Sequence, residues 1–151
     1  MCGPAGAGKS TLARRFELDG YVRLSFDEAA WQRGHRAHPV SGAVAAEIHA
    51  YLRDRLVALI GQGHDVVIDA SFWSLAARQS YRSLVAPLDV VAVTYYVAVT
   101  REEVLARLGA RRGTGPHDVI VSDDLARKYL DGFQIPTDDE GPLVIVDPTD
   151  R

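Results

Sequence analysis

Gly3-Pro4-Ala5-Gly6-Ala7-Gly8-Lys9-Ser10-Thr11 decides how the rest of the chain is read. Its first eight residues fit G-x-x-x-x-G-K-[ST], and a helix-forming run, Thr11-Leu12-Ala13, begins at its end. Glycines let the backbone curl until successive N–H groups point inward at phosphate oxygens, and the helix N-terminus adds partial positive charge at the same place. Lys9 then reaches β- and γ-phosphates, and Ser10 sets its hydroxyl on Mg²⁺. The bland alternative is a glycine-rich turn, but with lysine this scarce in the chain a chance match has a probability of roughly one in a thousand. Gly3, Pro4, Ala5, Gly6, Ala7, Gly8, Lys9, Ser10 and Thr11 are therefore the candidate nucleotide-binding residues.

Outward from the loop, Lys9 to Leu18 suits a helix and Tyr21 to Phe26 alternates like a short strand. Val44, Ile48, Leu52, Leu56, Leu59 and Ile60 recur at helical spacing, with Ser41 as N-cap and Gly61 and Gly63 as stop. Val66 to Asp69, Val90 to Val97 and Leu143 to Val146 read as strands covered on both faces. Helical segments fall at Ser74 to Val85, Arg101 to Ala110 and Ser122 to Asp131. Strands alternating with helices predict an α/β fold, a mostly parallel sheet with helices on both faces, in one domain over residues 1–151. A phosphate loop of this kind leaves the end of a central strand, yet Met1 and Cys2 alone precede it. Either the sequence starts inside a longer protein, the option favoured here, or Met1-Cys2 is the stub of a truncated first strand.

Composition narrows the class. The 151 residues are 47% hydrophobic and 25% charged, with 17 Lys+Arg against 20 Asp+Glu for a formal charge of −3. Such a chain buries a core without disulfides or structural metal, and its single cysteine, Cys2, forms no internal bridge. The apolar run Val90 to Val99 is too short for a membrane helix, and the start has no signal-peptide pattern, so a cytoplasmic protein with no membrane partner is expected. Mild acidity gives no general attraction to nucleic acid. Fifteen arginines against two lysines, with no asparagine, make arginine a weak functional signal and Lys9 a strong one.

Without asparagine the guanine-reading Asn-Lys-x-Asp motif is excluded, and the length leaves no room for the second subdomain of ring ATPases. Small-molecule and nucleotide kinases fit best. The loop, followed by Leu24-Ser25-Phe26-Asp27-Glu28, Val67-Ile68-Asp69-Ala70-Ser71 and Leu105 to Gly113, resembles the small P-loop kinases called predicted kinases, of AAA type. It also resembles the kinase domains of 5′-polynucleotide kinases and related antibiotic phosphotransferases, over about residues 3 to 136. The resemblance implies a P-loop NTPase fold of strand order 2-3-1-4-5, with ATP and Mg²⁺ as cofactors.

By the same resemblance Asp27 accepts the proton of an acceptor hydroxyl as the γ-phosphoryl moves; its structural alternative is an N-cap for a helix over Glu28 to Gln32. Asp69 serves the metal, directly or through water, or the acceptor; its alternative is a turn. Arg107, Arg111 and Arg112 precede the flexible Gly113-Thr114-Gly115-Pro116 and look like a lid, Arg107 and Arg111 first, stabilising charge in transfer and binding nucleotide. Their alternative is cations at a helix C-terminus. Lys9, Asp27, Arg107 and Arg111 are thus the candidate catalytic residues, and Ser10 and Asp69 the candidate metal residues.

Ala30 stands where polynucleotide kinases carry an acceptor-binding arginine, which places a polynucleotide below a small hydroxyl compound. Trp31, Phe72 and Trp73 are candidate pocket walls or core, and His35 and His38 are read as solvated loop histidines. Gly141 to Thr149 resembles a last strand plus the loop flanking adenine. The expected activity is γ-phosphoryl transfer from ATP to a hydroxyl. The rivals are a nucleotide kinase with a phosphate acceptor and a nucleotide-binding regulator that hydrolyses slowly or not at all.

Overall fold

The computed structural model describes residues 1–147. Helices α1 (Lys9–Leu18), α2 (Phe26–Gln32), α3 (Gly42–Gly61), α4 (Leu75–Val85), α5 (Arg101–Gly109) and α6 (Asp123–Asp131) alternate with strands β1 (Val22–Ser25), β2 (Val66–Asp69), β3 (Thr94–Val97) and β4 (Leu143–Val146). Most helix starts are written locally. Ser25, Ser41, Ser74 and Ser122 each accept a backbone N–H from the first turn they cap, and Thr100 forms a reciprocal capping box with Glu103.

The strands are parallel, β1 beside β2 and β3 beside β4. Met1 and Cys2 fill the position between the two pairs: the Met1 nitrogen donates to Ile68 O at 2.7 Å, Cys2 N to Tyr95 O at 2.7 Å, and Val97 N to Cys2 O at 2.9 Å. Counting this stub as the first strand gives the expected order 2-3-1-4-5. Both faces are covered. On one, Phe16 of α1 meets Tyr21 and Tyr95 edge-on at 5.0 and 4.9 Å, over Val67 and Val97. On the other, Ile48, Leu52, Leu56 and Leu59 of α3 join Tyr81 and Val85 of α4 against Leu24. A third cluster, Val104, Leu108, Val121 and Ala126, packs α5 against α6 and the segment between them.

Two sequence readings change, and a third falls where the structure is not described. The third strand begins at Thr94 rather than Val90, because the partner strand starts at Leu143, opposite Thr94, immediately after Gly141-Pro142. Val91 and Val93, N-terminal to that register, stay exposed. The first full strand ends at Ser25, so Phe26 opens a helix. Pro148 and Thr149, assigned to an adenine-flanking loop, lie outside the described residues.

A buried ion pair ties α4 to the segments that follow β2 and α6. Arg78 donates to both Glu140 oxygens at 2.6 Å and to the carbonyls of Phe72 and Gln134 at 2.9 Å. Phe72, just beyond β2, is held in the left-handed region at φ 46°, a strained conformation for a bulky residue, with its ring edge-on to Tyr81 at 4.9 Å. Among the described residues no helix is long and apolar enough to cross a membrane.

Candidate active site

The glycine-rich loop turns from Met1-Cys2 into α1 as its sequence demands. Gly8 caps the helix in the left-handed region at φ 99°, with its carbonyl accepting Thr11 N at 3.1 Å and Leu12 N at 3.2 Å. Gly6, at φ 80°, lies so close to α5 that a Cβ would meet Leu108 Cγ at 3.2 Å and Val104 O at 3.4 Å. The loop is therefore clamped from behind. Lys9 Nζ folds back to Pro4 O at 2.9 Å, and Thr11 is exposed in the first turn. Burial lowers the Lys9 ammonium below its ordinary value, against the pull of the Asp27 and Asp69 carboxylates. The residues fit a nucleotide triphosphate: a curled backbone with left-handed glycines, a helix N-terminus behind it, and a partly desolvated ammonium whose partner is a neutral carbonyl that phosphate readily replaces. No cluster of three His, Cys, Asp or Glu suited to a metal occurs among the described residues. A Mg²⁺ ion at Ser10 would therefore complete its shell with phosphate oxygens and water, the way this ion is ordinarily held.

Asp27 is relieved of the capping duty that its position suggested. Ser25 Oγ accepts Glu28 N at 3.3 Å, which makes Ser25 the N-cap and puts Asp27 inside the first turn of α2. Its half-exposed carboxylate faces His38 Nε2 at 3.8 Å and acts electrostatically on Lys9, Arg111 and Tyr129. Asp69, at the end of β2, is almost completely buried and takes Arg23 on its Oδ2 at 3.1 Å.

The lid arginines divide. Arg107 lies across the back of the glycine loop, donating to Gly6 O at 3.4 Å and Ala7 O at 3.3 Å. Arg111 donates to Val119 O at 3.1 Å and lies within electrostatic reach of Lys9 and Asp27; burial lowers its guanidinium, opposed by Asp27 and Asp118. Beyond it the loop is ordered by Asp118, whose Oδ2 accepts Arg112 N, Thr114 N and Thr114 Oγ.

Three residues that the sequence did not single out complete the site. Ser10 Oγ lies 3.2 Å from His117 Nδ1, His117 Nε2 lies 2.9 Å from Glu28 Oε1, and Glu28 pairs with Arg23, which holds Asp69. Burial alone would raise the Glu28 carboxyl, but hydrogen bonds from Arg23 and His117 outweigh it and hold it below the usual value. Arg23 carried a legible signal, since a cation in a strand covered on both faces requires buried partners. His117 carried none. Of the aromatic residues read as pocket walls or core, Phe72 packs into the core, Trp73 is exposed, and Trp31 lies under the Arg36 guanidinium at 3.9 Å. His38 is half-buried beside Asp27 rather than solvated.

A family model described as an AAA domain matches residues 1–136. No curated protein matches the sequence. Among solved structures, a gluconokinase from Sinorhizobium meliloti 1021 superposes with a TM-score of 0.69 at 19% identity, over 97% of this chain and 79% of the other. A sugar kinase from Janibacter sp. HTCC2649 gives 0.66 at 18%, over 97% and 82%. A chain of the Pnkp1/Rnl/Hen1 RNA repair complex gives 0.73 at 23%, over 87% of this chain and 42% of that one. The fold is that of P-loop NTPases, and the neighbours' names meet the resemblance drawn from the motifs.

Proposed function

The chain belongs to the AAA domain family matched over residues 1–136, and from that premise we propose that it is an ATP- and Mg²⁺-dependent kinase that phosphorylates a hydroxyl of a small molecule. The observation that carries this reading is Asp27: a carboxylate with no capping role, half-exposed, and electrostatically coupled to both Lys9 and Arg111. A general base needs reach to the acceptor proton and freedom from structural duty, and Asp27 has that freedom. Lys9 and the loop amides would hold the β- and γ-phosphates, Ser10 would hold the metal, and Arg111 would offset charge on the equatorial oxygens. When bound, the ion would offset negative charge on the β- and γ-phosphates. Arg107 shapes the loop from behind, and Asp69 anchors Arg23.

Two structural neighbours are named for sugar or sugar-acid substrates, which puts polyhydroxylated compounds first among acceptors, ahead of nucleosides and aminoglycosides. The acidic balance and Ala30 argue against a polynucleotide. Acceptor-stimulated ADP release across sugars, nucleosides, nucleotides, aminoglycosides and a 5′-hydroxyl oligonucleotide tests the reading. Stimulation by a hydroxyl compound supports it; stimulation by nucleoside monophosphates alone, or acceptor-independent hydrolysis alone, replaces it with one of the rivals.

A further inference from the structure

The path from Ser10 through His117 to Glu28 gives the loop after α5 a task that neither phosphate binding nor proton transfer covers. Glu28 is paired with Arg23, so its carboxylate is held ionised and accepts the hydrogen on His117 Nε2 at 2.9 Å. The network thereby assigns the tautomer: in a neutral ring Nδ1 is the acceptor, and at 3.2 Å it takes the Ser10 hydroxyl hydrogen. A hydroxyl whose hydrogen is committed in one direction presents its lone pairs in the other. In P-loop enzymes generally an acidic residue at a strand end works beside the loop hydroxyl, but here the strand-end acid, Asp69, is buried and engaged by Arg23.

We propose that His117 is a positioning residue for the metal: carried by the ordered Arg112–Asp118 loop, it fixes the Ser10 hydroxyl so that the oxygen faces the cation, making metal affinity depend on lid placement. The loop is suited to that task. Asp118 ties its two ends together through Arg112 and Thr114, and the following Val119 and Val121 are buried, so the imidazole is delivered from a braced turn. Glu28 supports the ring from α2, the same short helix that carries Asp27. Lid, metal ligand and candidate base are therefore coupled through one imidazole. The inference rests on the ATP·Mg²⁺ reading and adds the residue that prepares the hydroxyl.

Calorimetry with a non-hydrolysable ATP analogue, with Mg²⁺ and then with EDTA, separates the possibilities for wild type, His117→Ala and His117→Asn, each checked by its melting curve. Outer-shell partners of metal ligands are worth about 10–100-fold in metal affinity. His117→Ala is expected to lose about tenfold of the Mg²⁺-dependent gain in nucleotide affinity while its affinity in EDTA stays at the wild-type value. His117→Asn, whose amide oxygen can stand where Nδ1 stood, is expected to recover part of that gain. An undiminished Mg²⁺ gain in His117→Ala overturns the assignment and leaves the ATP·Mg²⁺ reading intact. A larger gain also overturns it, because the histidine then competes with the metal, and so does an equal loss in Mg²⁺ and EDTA, which marks a lid prop only. A wild-type protein with no Mg²⁺ gain overturns the assignment and the underlying reading together.

Discussion

The glycine loop and the face opposite it are built in contrasting ways. The loop is one contiguous stretch whose function lies in backbone geometry, with Gly8 in the left-handed region at the N-cap of α1 and Lys9 folded over its own turn. The opposite face is assembled from distant segments: Asp27 on α2 and Arg111 after α5 stand beside a run of linked side chains, Asp69 on β2, Arg23 on β1, Glu28 on α2 and His117. A backbone device can be spelled out in consecutive residues. A side-chain device is written only in the tertiary structure, and changes in the two should fail differently.

The largest effect is expected at the assembled face. Asp27→Asn keeps the shape but removes the basicity, so transfer to the acceptor should fall by about 10²–10⁴-fold while nucleotide affinity persists. Because Ser25 rather than Asp27 caps α2, the stability change is confined to a lost charge in the first turn, about 0.3–1 kcal/mol. Steady-state kinetics with the identified acceptor, alongside a melting curve, checks both. A wild-type transfer rate would refute the base assignment and leave the comparison without its catalytic half.

Lys9→Ala attacks the contiguous half. Turnover should drop by about 10²–10³-fold or more together with affinity for nucleotide, without loss of melting temperature, because the ammonium is a desolvated charge that fills no core. Calorimetry with ATP and Mg²⁺ reads the binding loss directly, and unchanged affinity would remove the phosphate-loop assignment. Binding and rate fall together here, whereas Asp27→Asn separates them.

The lid arginines sharpen the comparison, since the sequence offered them as equals and the structure assigns one to each half. Arg111→Ala removes a charge within electrostatic reach of Asp27 and Lys9 and should lower kcat by about 10²-fold, less than the roughly 10³–10⁵-fold of a dedicated arginine finger. Arg107→Ala removes two hydrogen bonds to the loop's outer carbonyls, so it should weaken nucleotide binding about threefold to tenfold with kcat nearly unchanged. Equal effects on kcat would show that the two act as one lid.

Much of the fold was legible for the reason that makes the loop legible. The boundaries of α1 and β4, the cap Ser41, the helices that follow Ser74 and Ser122, and the two strand faces all depend on neighbours within a few residues. Where the reading failed, a distant partner decided. Val90 to Val93 are as apolar as a strand, but β4 begins too late to pair with them. At the site the sequence names the loop residues, Asp27, Asp69 and the lid arginines but not Glu28 or His117, because a histidine 107 residues from its serine leaves no periodicity to read.

The smallest expected effect concerns the joint between the two kinds of construction. Ser25 is at once the last residue of β1, the N-cap of α2 and a buried side chain, and it orients the helix that carries both Asp27 and Glu28. Replacing it with alanine leaves Glu28 N without its acceptor at the buried start of a short helix, which should cost about 1 kcal/mol and lower the melting temperature by about 2–4 °C. Glycine at an N-cap costs only a few tenths of a kcal/mol relative to serine, so Ser25→Gly should be the milder change. That order is the reverse of what helix or strand propensity alone would give, since glycine is the poorer residue inside either element. Thermal denaturation of the pair therefore tells a cap from a strand residue. If alanine proves milder than glycine, Ser25 serves the sheet, and Asp27 returns to candidacy for the cap. Asp27→Asn would then change helix and chemistry together, and its interpretation as loss of a base would no longer stand alone.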